Sequence, residues 1–563
     1  MNRILANILV SVFIVILIMG CDSNPKPNSQ NEERLQADIL LINGTIYTVD
    51  DNNPVVSALA ISGDTILAVG KTDSLKNRID AKQIIDLEGK AVYPGFIDGH
   101  CHFLGYGRTL FNVDLVGTTS LGHVVSKTTE FFGPNPKGWV QGRGWDQNDW
   151  KSSGWDVSQF PTKKQLDSIY PNNPVALRRV DGHAVWANSL ALEMANISNK
   201  TVVEGGEILL GKNNEPTGIL IDNAADLVLN IIPENIKEKD AEAVQKAQQN
   251  CLAVGLTCLM DAGLPLVDVQ FLAQQNEEGK LNIRVYQMIK NDSDAIAYFE
   301  KNGPIETPNF TVKAIKCYMD GALGSRGAWL KSNYTDALGK SGLQLTPTNE
   351  FAELLLKAKN MNFQVGTHAI GDKAVEVVLD EYSKILEPDN DRRWRVEHSQ
   401  IVDEFDINKY GQHKILPSIQ TTHATSDMYW ADERLGDRIT TAYAYQDLLK
   451  QNQLLINGSD FPVESINPLY GFYAAVNRRD LDGFPEIGFQ TNNALTREQA
   501  LKAMTIWAAY GQFQEDKIGS LEVGKWADFV ILEKDIMVVS IEEVPYTKVL
   551  ATYIAGKKWY EAN

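Results

Sequence analysis

The feature that most constrains the fold is an alternation of strand-length apolar runs with helix-length amphipathic stretches through the middle of the chain. This alternation is typical of parallel strand–helix units, because helices cover both faces of a parallel strand. The candidate strands are Val92–Ile97, Leu256–Met260, Ile283–Met288, Val312–Lys316, Asn362–Thr367, Trp394–Glu397, Ile415–Ile419 and Gln453–Asn457. Together they predict an α/β fold with a (β/α)8 TIM barrel.

Both ends of the chain carry a different pattern, made of short alternating strands and tight turns. The dipeptides Asn43-Gly44 and Gly63-Asp64 are strong hairpin signals, and similar strands return near the C-terminus. Residues 37–92 and 513–563 are therefore predicted to form one small β-sandwich domain around a barrel domain at 93–512. Because the gap between the first two candidate strands far exceeds one strand–helix unit, residues from about 110 to 234 are predicted to be a large insertion.

The first 20 residues have the character of an export signal. Arg3 precedes the apolar run Ile8–Met19, whose length fits a signal-peptide core better than a spanning helix. The run ends in Gly20-Cys21, which resembles a bacterial lipobox with Cys21 as the residue to be lipidated. Such a lipobox implies an exported protein that is lipid-anchored to the bacterial cell envelope, with residues 21–36 as a flexible tether. A plain secretory signal and a membrane anchor are the alternatives.

Composition narrows the classes of partner. A chain of 563 residues is too long for one compact core, which agrees with more than one domain. The net charge of −19 leaves no basic face for nucleic acid. Five cysteines are too few for a disulfide scaffold. The expected partners are a small-molecule substrate and, through the lipid anchor, a membrane; the oligomeric state stays open, with a homodimer as one alternative.

Histidines and one acid follow the candidate barrel strands. His100 and His102 come after the first strand, His368 after the fifth, His398 after the sixth and Asp460 after the eighth. The carboxyl ends of barrel strands converge on one face, where TIM-barrel active sites lie. Two histidines one residue apart in an extended segment point the same way. Neutral imidazoles and a carboxylate suit Zn²⁺ or a similar divalent ion, so these residues predict a metal site.

Several segments resemble motifs of the amidohydrolase superfamily, and in particular of amidohydrolase family 3, the branch that contains N-substituted formamide deformylase. The resemblance runs from about residue 37 to the C-terminus. The segments that carry it are Pro94–His102, Lys316–Arg326, Thr367–Asp372, Arg395–Gln400, Gly458–Val463 and Lys517–Asp528.

The resemblance implies one or two divalent metals, with Zn²⁺ as the expected ion, held by the histidines after the first, fifth and sixth strands. It also implies that Lys316 reacts with CO₂ to form a carbamate, an anionic oxygen donor able to bridge two metals. The alternative is a cationic Lys316 that points elsewhere or contacts substrate. Asp460 would accept a proton from the activated water and pass it to the leaving group. The alternative for Asp460 is a purely structural role.

Two segments of the predicted insertion, Gln141–Trp150 and Arg178–Trp186, resemble family segments that cover the mouth of the barrel. Their aromatic, Arg and His side chains suit a substrate lid, and an ordinary subdomain core is the alternative. His183, Arg326 and His423 are further candidates for substrate binding.

The expected activity is metal-dependent hydrolysis of an amide-type C–N bond other than a peptide bond, in an N-acyl, N-formyl or cyclic amide. Hydrolysis of esters, lactones or amino-heterocycles by the same chemistry is a second hypothesis. A third is a lipid-anchored binding protein that kept the barrel without activity, although the retained ligand types and Asp460 argue against it.

Overall fold

The computed structural model describes residues 34–233 and 237–562. Its centre is a ring of parallel strands, which we number in chain order. They are β1 (Phe96–Cys101), β2 (Leu256–Leu264), β3 (Arg284–Lys290), β4 (Phe310–Tyr318), β5 (Gln364–Ala369), β6 (Arg395–His398), β7 (Leu416–Ile419) and β8 (Ile456–Asn457). Each strand pairs in parallel with the next one along the chain. This order confirms the predicted (β/α)8 barrel.

The ring is nearly closed where β8 returns to β1. The backbone N–H of Asp460, just after β8, donates to the carbonyl of His100 in β1 at 2.7 Å. Gly99 permits this close approach, because a Cβ atom at that position would lie 2.4 Å from the side chain of Ile456 in β8. The last barrel strand therefore delivers Asp460 directly beside the histidines that follow the first strand.

Helices surround the barrel and connect its strands. The α-helices of the barrel domain are Phe103–Thr109, Lys237–Ala253, Leu266–Glu277, Ser293–Asn302, Thr348–Met361, Asp372–Ser383, Asn408–Gln412, Thr421–Asp427, Ala431–Leu435, Tyr445–Asn452, Pro468–Asn477, Arg497–Ala503 and Ile506–Gly511. Short 3₁₀ turns lie at Gly436–Thr441 and Thr491–Asn493, and a short strand, Ile305–Glu306, pairs with β4. Across the described ranges, every helix is too short or too polar to cross a membrane.

The two ends of the chain form a β-sandwich, as predicted. One sheet contains Leu35–Ile42, Ala58–Ser62, Thr65–Gly70 and Ile79–Asp86, with the helix Thr72–Arg78. The other contains Thr45–Tyr47, Val55–Val56, Ala91–Pro94, Phe529–Leu532, Val549–Ile554 and Lys557–Glu561. The 3₁₀ helix Ile541–Tyr546 lies between the strands Phe529–Leu532 and Val549–Ile554. Leu41 and Ile61 from the first sheet share a buried core with Val92 and Phe529 from the second. Burial of this shared apolar surface joins the two distant chain segments.

Two predicted boundaries differ from the structure. The first candidate strand, Val92–Ile97, is two strands: Ala91–Pro94 belongs to the sandwich and β1 belongs to the barrel. The break falls at Gly95, where a Cβ atom would lie 2.2 Å from the side chain of Thr257. The first sandwich strand begins at Leu35, two residues before the predicted start of the sandwich domain at residue 37. The predicted signal peptide and Cys21 lie outside the described residues.

The predicted insertion after β1 is a folded unit, which we call the insertion domain (residues 110–233). Its six-stranded sheet runs in the order Gly206–Leu210, Pro216–Asp222, Ala184–Ala187, Val175–Arg179, Val140–Trp145 and Val113–Asp114. Its helices are Leu121–Phe132, Lys163–Ile169, Ser189–Met194 and Asn223–Leu229, with a 3₁₀ segment at Gln147–Ser153. Leu177 and Trp186 are buried on one face of the sheet, whereas Ala176 and Val185 are buried on the other. Because side chains alternate along a strand, both faces carry a core.

Candidate active site

The site is centred on the first and last barrel strands. Ligand-type atoms of His100, His102 and Asp460 all lie within 4.8 Å of one another, a spacing that could hold a metal ion. Oδ1 of Asp460 is 3.1 Å from Nε2 of His102 and 3.6 Å from Nε2 of His100. Near-closure of the ring places Asp460 here, as described above.

The histidines that follow β5 and β6 join the same cluster. The rings of His368 and His398 have centroids 4.4 Å apart, and the ring of His398 is 4.9 Å from that of His100. His398 has a φ of +74°, a left-handed backbone conformation that turns the chain at the end of β6. The structure therefore brings together all four histidines that the sequence assigned to the barrel mouth.

Hydrogen bonds orient three of these rings. Nδ1 of His100 lies 2.6 Å from a carboxylate oxygen of Glu397, and Nδ1 of His398 lies 2.7 Å from Oε1 of Gln420. Nε2 of His368 lies 3.4 Å from the carbonyl oxygen of Gly321. Because a neutral imidazole donates from one nitrogen only, these contacts leave an acceptor lone pair on Nε2 of His100 and His398 and on Nδ1 of His368.

The rings are also in the protonation state that a metal ligand needs. Burial lowers the pKa of His100 to about 4, and it holds the pKa values of His368 and His398 well below the usual range. Burial likewise lowers the pKa of His102. Burial alone would raise the pKa of Asp460, but its contact with His102 and the charge of His100 hold that pKa well below the usual range. Neutral imidazoles therefore face an ionised carboxylate at pH 7.

Lys316, at the end of β4, enters the same cluster. Its Nζ atom is 3.2 Å from Nε2 of His100, and the residue is 1% exposed. Burial lowers the pKa of its ammonium group to about 8. The absence of a side chain at Gly263 makes room for it, because a Cβ atom there would lie 3.0 Å from Cγ of Lys316. Lys316 thus points into the site, which fits a carbamate or a substrate contact and does not fit a lysine that points elsewhere.

Sequence reasoning missed Glu397, although it contacts the first histidine of the cluster. Glu397 and Arg395 form a fully buried ion pair at 2.7 Å inside the barrel. Gly366 leaves the space, since a Cβ atom there would lie 2.6 Å from Glu397. A signal existed in the sequence: Arg395 and Glu397 are two residues apart on a strand, so they share a face. Opposite charges on one face of a buried strand indicate an internal ion pair.

Asp98 and Asp320 are two further acids that sequence reasoning did not single out. The carboxylate of Asp98 accepts hydrogen bonds from the hydroxyl of Ser459 at 2.6 Å and from the backbone N–H of His100 at 3.1 Å. The carboxylate of Asp320 accepts from the backbone N–H groups of Gly371 at 2.8 Å and Ile370 at 3.0 Å. Both acids tie neighbouring loops together beneath the histidines. Both acids stand within the sequence motifs, but the hydrogen bonds that they accept from Ser459, Gly371 and Ile370 come from far away along the chain, which the sequence does not indicate.

His183 reaches the site from the insertion domain. Its Nδ1 atom is 2.7 Å from Oδ1 of Asp222, and its ring centroid is 5.0 Å from that of His368. The loop after β4 packs closely on Asp222, because Cβ atoms at Gly321 and Gly327 would lie 2.4 and 2.5 Å from its carboxylate oxygen. Two glycines of the barrel thus accept the acid that orients the ring of His183.

A cavity of about 210 Å³ opens onto the cluster, and both barrel and insertion domain line it. His183, His368, His398 and Asp460 lie in its wall, as does His423, whose ring is 6.1 Å from that of His398. The volume is below the range of roughly 300–1,000 Å³ that is common for drug-sized ligands. The cavity suits a small molecule.

The predicted contact from Arg326 lies elsewhere. Its guanidinium forms an ion pair with Asp336 at 2.7 Å, and the residue is not in the cavity wall among the residues that the structure describes. The guanidinium that reaches the cavity is that of Arg179, in the insertion domain. Arg179 and Arg326 both belong to segments singled out from the sequence. Arg326 lies in a turn with a φ of +63°, where the regular alternation of a strand does not indicate the direction of a side chain.

The two predicted lid segments have a double role. Trp145, Trp150 and Trp186 are buried in the core of the insertion domain. Asp146 and Arg179, from the same two segments, face the cavity. Both alternatives raised by the sequence therefore apply, to different residues.

The donor set fits a divalent metal. Imidazole nitrogens and a carboxylate oxygen are the ligand types of zinc and related ions. Oδ1 of Asp460 is buried and accepts no well-aligned hydrogen bond from the described residues, although Nε2 of His102 lies 3.1 Å away; such an atom suits a site for a ligand. Contacts like those of His100 with Glu397 and of His398 with Gln420 are the supporting contacts that metal sites use.

Comparison with known proteins places this fold and site. The model of the amidohydrolase family matches residues 83–560. The chain belongs to the amidohydrolase family. This amidohydrolase is 33% identical over 543 residues to protein LONG AFTER FAR-RED 3 of Arabidopsis thaliana, covering 93% of this chain and 92% of that protein. It is 25% identical to N-substituted formamide deformylase of Arthrobacter pascens, covering 93% of this chain and 98% of that enzyme.

A solved structure agrees with the same assignment. An uncharacterized metal-dependent hydrolase from Pyrococcus horikoshii OT3 superposes on this amidohydrolase with a TM-score of 0.71 and 29% sequence identity, covering 89% of this chain and 99% of that one. The resemblance to amidohydrolases inferred from the sequence motifs is confirmed. The chain is a hydrolase of a family whose members act on small molecules, and it carries a His-His-Asp cluster able to hold a metal.

Proposed function

We propose that the protein hydrolyses an amide-type C–N bond, other than a peptide bond, in a small N-acyl, N-formyl or cyclic amide. The observation that carries the proposal is the convergence of His100, His102 and Asp460 within 4.8 Å at the mouth of the barrel. Similarity along nearly the whole chain to N-substituted formamide deformylase supports the choice of bond. The small cavity beside the cluster supports a small substrate.

We assign His100, His102, His368 and His398 as the residues that hold one or two divalent ions, with zinc as the expected metal. A divalent ion bound there would lower the pKa of a water molecule toward neutrality and polarise the substrate carbonyl. The contacts of Glu397 and Gln420 fix the rings before the ion arrives.

Asp460 is the proposed general base and acid. Its ionised carboxylate accepts a proton from the attacking water, whose oxygen bonds to the carbonyl carbon of the amide. The protonated carboxyl group of Asp460 then gives that proton to the amide nitrogen as the C–N bond breaks. The amine leaves with the proton, and the water oxygen remains in the carboxylic acid product.

His183 is the proposed contact for the substrate oxygen, and His423, also in the cavity wall, is a second proposed substrate contact. Asp222 holds Nδ1 of His183, so that Nε2 faces the cavity. Burial would lower the pKa of His183, but its hydrogen bond to Asp222 raises that pKa above the usual value. The raised pKa favours an imidazolium that donates a hydrogen bond to the carbonyl oxygen as it gains negative charge.

Lys316 is the proposed site of a carbamate. Its amine lies 3.2 Å from a ligand nitrogen of His100, where an ammonium group would repel a divalent ion. Attack of the neutral amine on CO₂ forms an N–C bond and releases one proton, which leaves an anionic oxygen donor. The Lys316→Ala variant should lose metal, and a small carboxylic acid in the buffer should restore part of it. A metal-loaded crystal structure with a free amine, or wild-type metal content in Lys316→Ala, would rule out the carbamate.

We also propose that the protein is exported and lipid-anchored through Cys21 to the bacterial cell envelope, on the strength of the lipobox-like sequence. The amide-hydrolase proposal itself is tested by loading purified protein with Zn²⁺ and assaying matched amides, esters and lactones. Release of amine from the amides, dependent on metal, is the expected result. Turnover confined to esters or lactones would reassign the bond, and binding without turnover of any compound would indicate an inactive binding protein.

A further inference from the structure

The cavity wall away from the metal cluster is strongly acidic. Asp427 lies at the end of the helix Thr421–Asp427, Glu464 follows β8, and Asp146 and Asp149 come from the insertion domain. We call Asp427, Glu464, Asp146 and Asp149 the acidic wall. Three separate chain segments thus direct carboxylates at one space of about 210 Å³.

Two members of the acidic wall have only neutral hydrogen-bond partners. Asp427 accepts hydrogen bonds from the hydroxyl of Tyr443 at 2.7 Å and the amide of Gln400 at 3.1 Å. Glu464 accepts from the hydroxyl of Ser426 at 2.7 Å. No lysine or arginine of the described residues forms an ion pair with either acid; the ionisable base that faces them is His423, whose Nε2 atom lies 3.9 Å from Glu464. A cationic ligand would supply the permanent positive charge that these acids lack.

Among the described residues, Arg179 is the one arginine that lines the cavity, and its guanidinium is already paired with acids of the protein. The side chain of Arg179 is 1% exposed and forms ion pairs with both Asp146 and Asp181. Its Nε atom donates to Gln147 at 3.0 Å. A substrate carboxylate would find no free guanidinium here, and it would meet the acidic wall instead.

One unpartnered polar atom gives independent support for a ligand in this cavity. Nε2 of His423 is buried in its wall without a hydrogen-bond partner among the described residues. Nε2 of His423 is 3.9 Å from Glu464, while its ring is 6.1 Å from that of the metal-site residue His398. His423 therefore spans the short distance between the metal cluster and the acidic wall.

Burial disfavours the charged forms of the two acids. It raises the pKa of Asp427 to about 7; the charge of His423 opposes that increase, and the charges of Glu464 and Asp146 add to it. Burial also raises the pKa of Glu464. A positive group placed between these acids would favour their charged forms, because an opposite charge at close range reverses the effect of burial.

We infer that the substrate is a small amide whose amine portion carries a second, cationic nitrogen, bound by Asp427 and Glu464 while the acyl carbon lies at the metal cluster. This inference rests on the proposed function for the identity of the cleaved bond. It separates the substrate class from N-acyl amino acids, whose carboxylate would face the acidic wall.

The test uses three amides of similar length that differ in the charge and polarity of the distal group. N-acetyl-1,3-diaminopropane carries an ammonium, N-propylacetamide is neutral, and N-acetyl-β-alanine carries a carboxylate. Each is titrated into metal-loaded wild-type protein by calorimetry, and amine release is followed in parallel. Binding of the ammonium compound is expected to be about 10- to 100-fold tighter than that of the other two, as one or two charge-assisted hydrogen bonds provide.

Asp427→Asn and Glu464→Gln should each remove most of this preference while leaving the weak binding of N-propylacetamide within roughly threefold of wild type. Asp389→Asn is the matched control, because its side chain is fully exposed and distant in sequence from the cavity. Thermal unfolding of each variant identifies any that does not fold, and the other acid then serves as the test.

The outcomes separate the two proposals. A preference for the ammonium compound that both cavity variants lose supports the inference, whether or not the amide is cleaved. Preference without cleavage of any amide would contradict the proposed reaction alone. Cleavage of all three amides at similar rates, or tighter binding of N-acetyl-β-alanine, would overturn the inference and leave amide hydrolysis in place.

Discussion

The barrel and the insertion domain line one cavity but contribute to it in different ways. The barrel supplies His368, His398 and Asp460 from strand ends, where backbone hydrogen bonds of neighbouring strands fix each position. The insertion domain supplies Arg179 and His183, which depend on side-chain partners for their direction. The comparison predicts that barrel changes affect metal content and the chemical step, whereas insertion-domain changes affect substrate binding with metal retained.

The largest effect is expected from a ligand of the barrel. His100→Ala should lose bound metal and lower kcat/KM by roughly 10⁴-fold or more, because the charge of the ion is worth several kcal/mol or more to the transition state. Elemental analysis and amide hydrolysis measure the two effects. His123→Ala is the control, since that histidine is exposed in the insertion domain. Full metal content in His100→Ala would break the assignment of the barrel mouth as the metal site.

A second barrel change should separate metal binding from proton transfer. Asp460→Asn is expected to retain metal and to lower kcat by about 10²–10⁴-fold, the usual contribution of general acid–base catalysis. Steady-state kinetics with metal analysis on the same sample measures it, and the exposed Asp482→Asn serves as control. Near-normal kcat would remove Asp460 from proton transfer, and loss of most of the metal would make it chiefly a ligand.

The supporting acid inside the barrel should give a smaller effect on the same property. Glu397→Gln keeps the shape of the side chain but weakens the hold on Nδ1 of His100, so metal affinity should fall about 10- to 100-fold. A competition titration with a zinc chelator measures this. The change also leaves Arg395 buried without its charged partner, so the melting temperature is recorded alongside. Unchanged zinc affinity in folded Glu397→Gln would show that Glu397 serves Arg395 alone.

On the insertion side the pattern should reverse. His183→Gln is expected to lower kcat/KM about 10-fold, the value of a hydrogen bond to a charged group, with metal content equal to wild type. Asp222→Asn should reproduce part of this effect, because Asp222 acts only by orienting the ring. Kinetics and elemental analysis on both variants check the result. Metal loss in His183→Gln would assign that histidine to the metal cluster. The predicted difference between barrel and insertion-domain residues would then be wrong.

The same contrast explains how much the sequence could predict. Parallel strands repeat regularly, so His368 and His398 could be assigned to the barrel mouth from strand ends alone. Asp427 ends a short helix and Glu464 lies in a loop; both are outside the regular strand ends of the barrel, and they were missed. Arg326 was expected to line the cavity. It lies instead in a turn with positive φ, and its guanidinium forms an ion pair with Asp336 outside the cavity wall. The division of the first candidate strand at Gly95 was missed, because a continuous apolar run does not show where a strand of one sheet ends and a strand of the next begins.

The smallest effect on catalysis is expected from Cys21, whose proposed role is in export. Every described residue of the cavity wall lies at position 116 or beyond, so Cys21→Ala should leave kcat/KM of purified protein within error of wild type. It should abolish acylation, because a lipobox without its cysteine has no thiol to modify. Metabolic labelling with a fatty acid, with Ser23→Ala as control, measures this. Labelling that persists in Cys21→Ala would end the lipid-anchor proposal, and a changed kcat/KM would show that the anchor segment contacts the cavity after all.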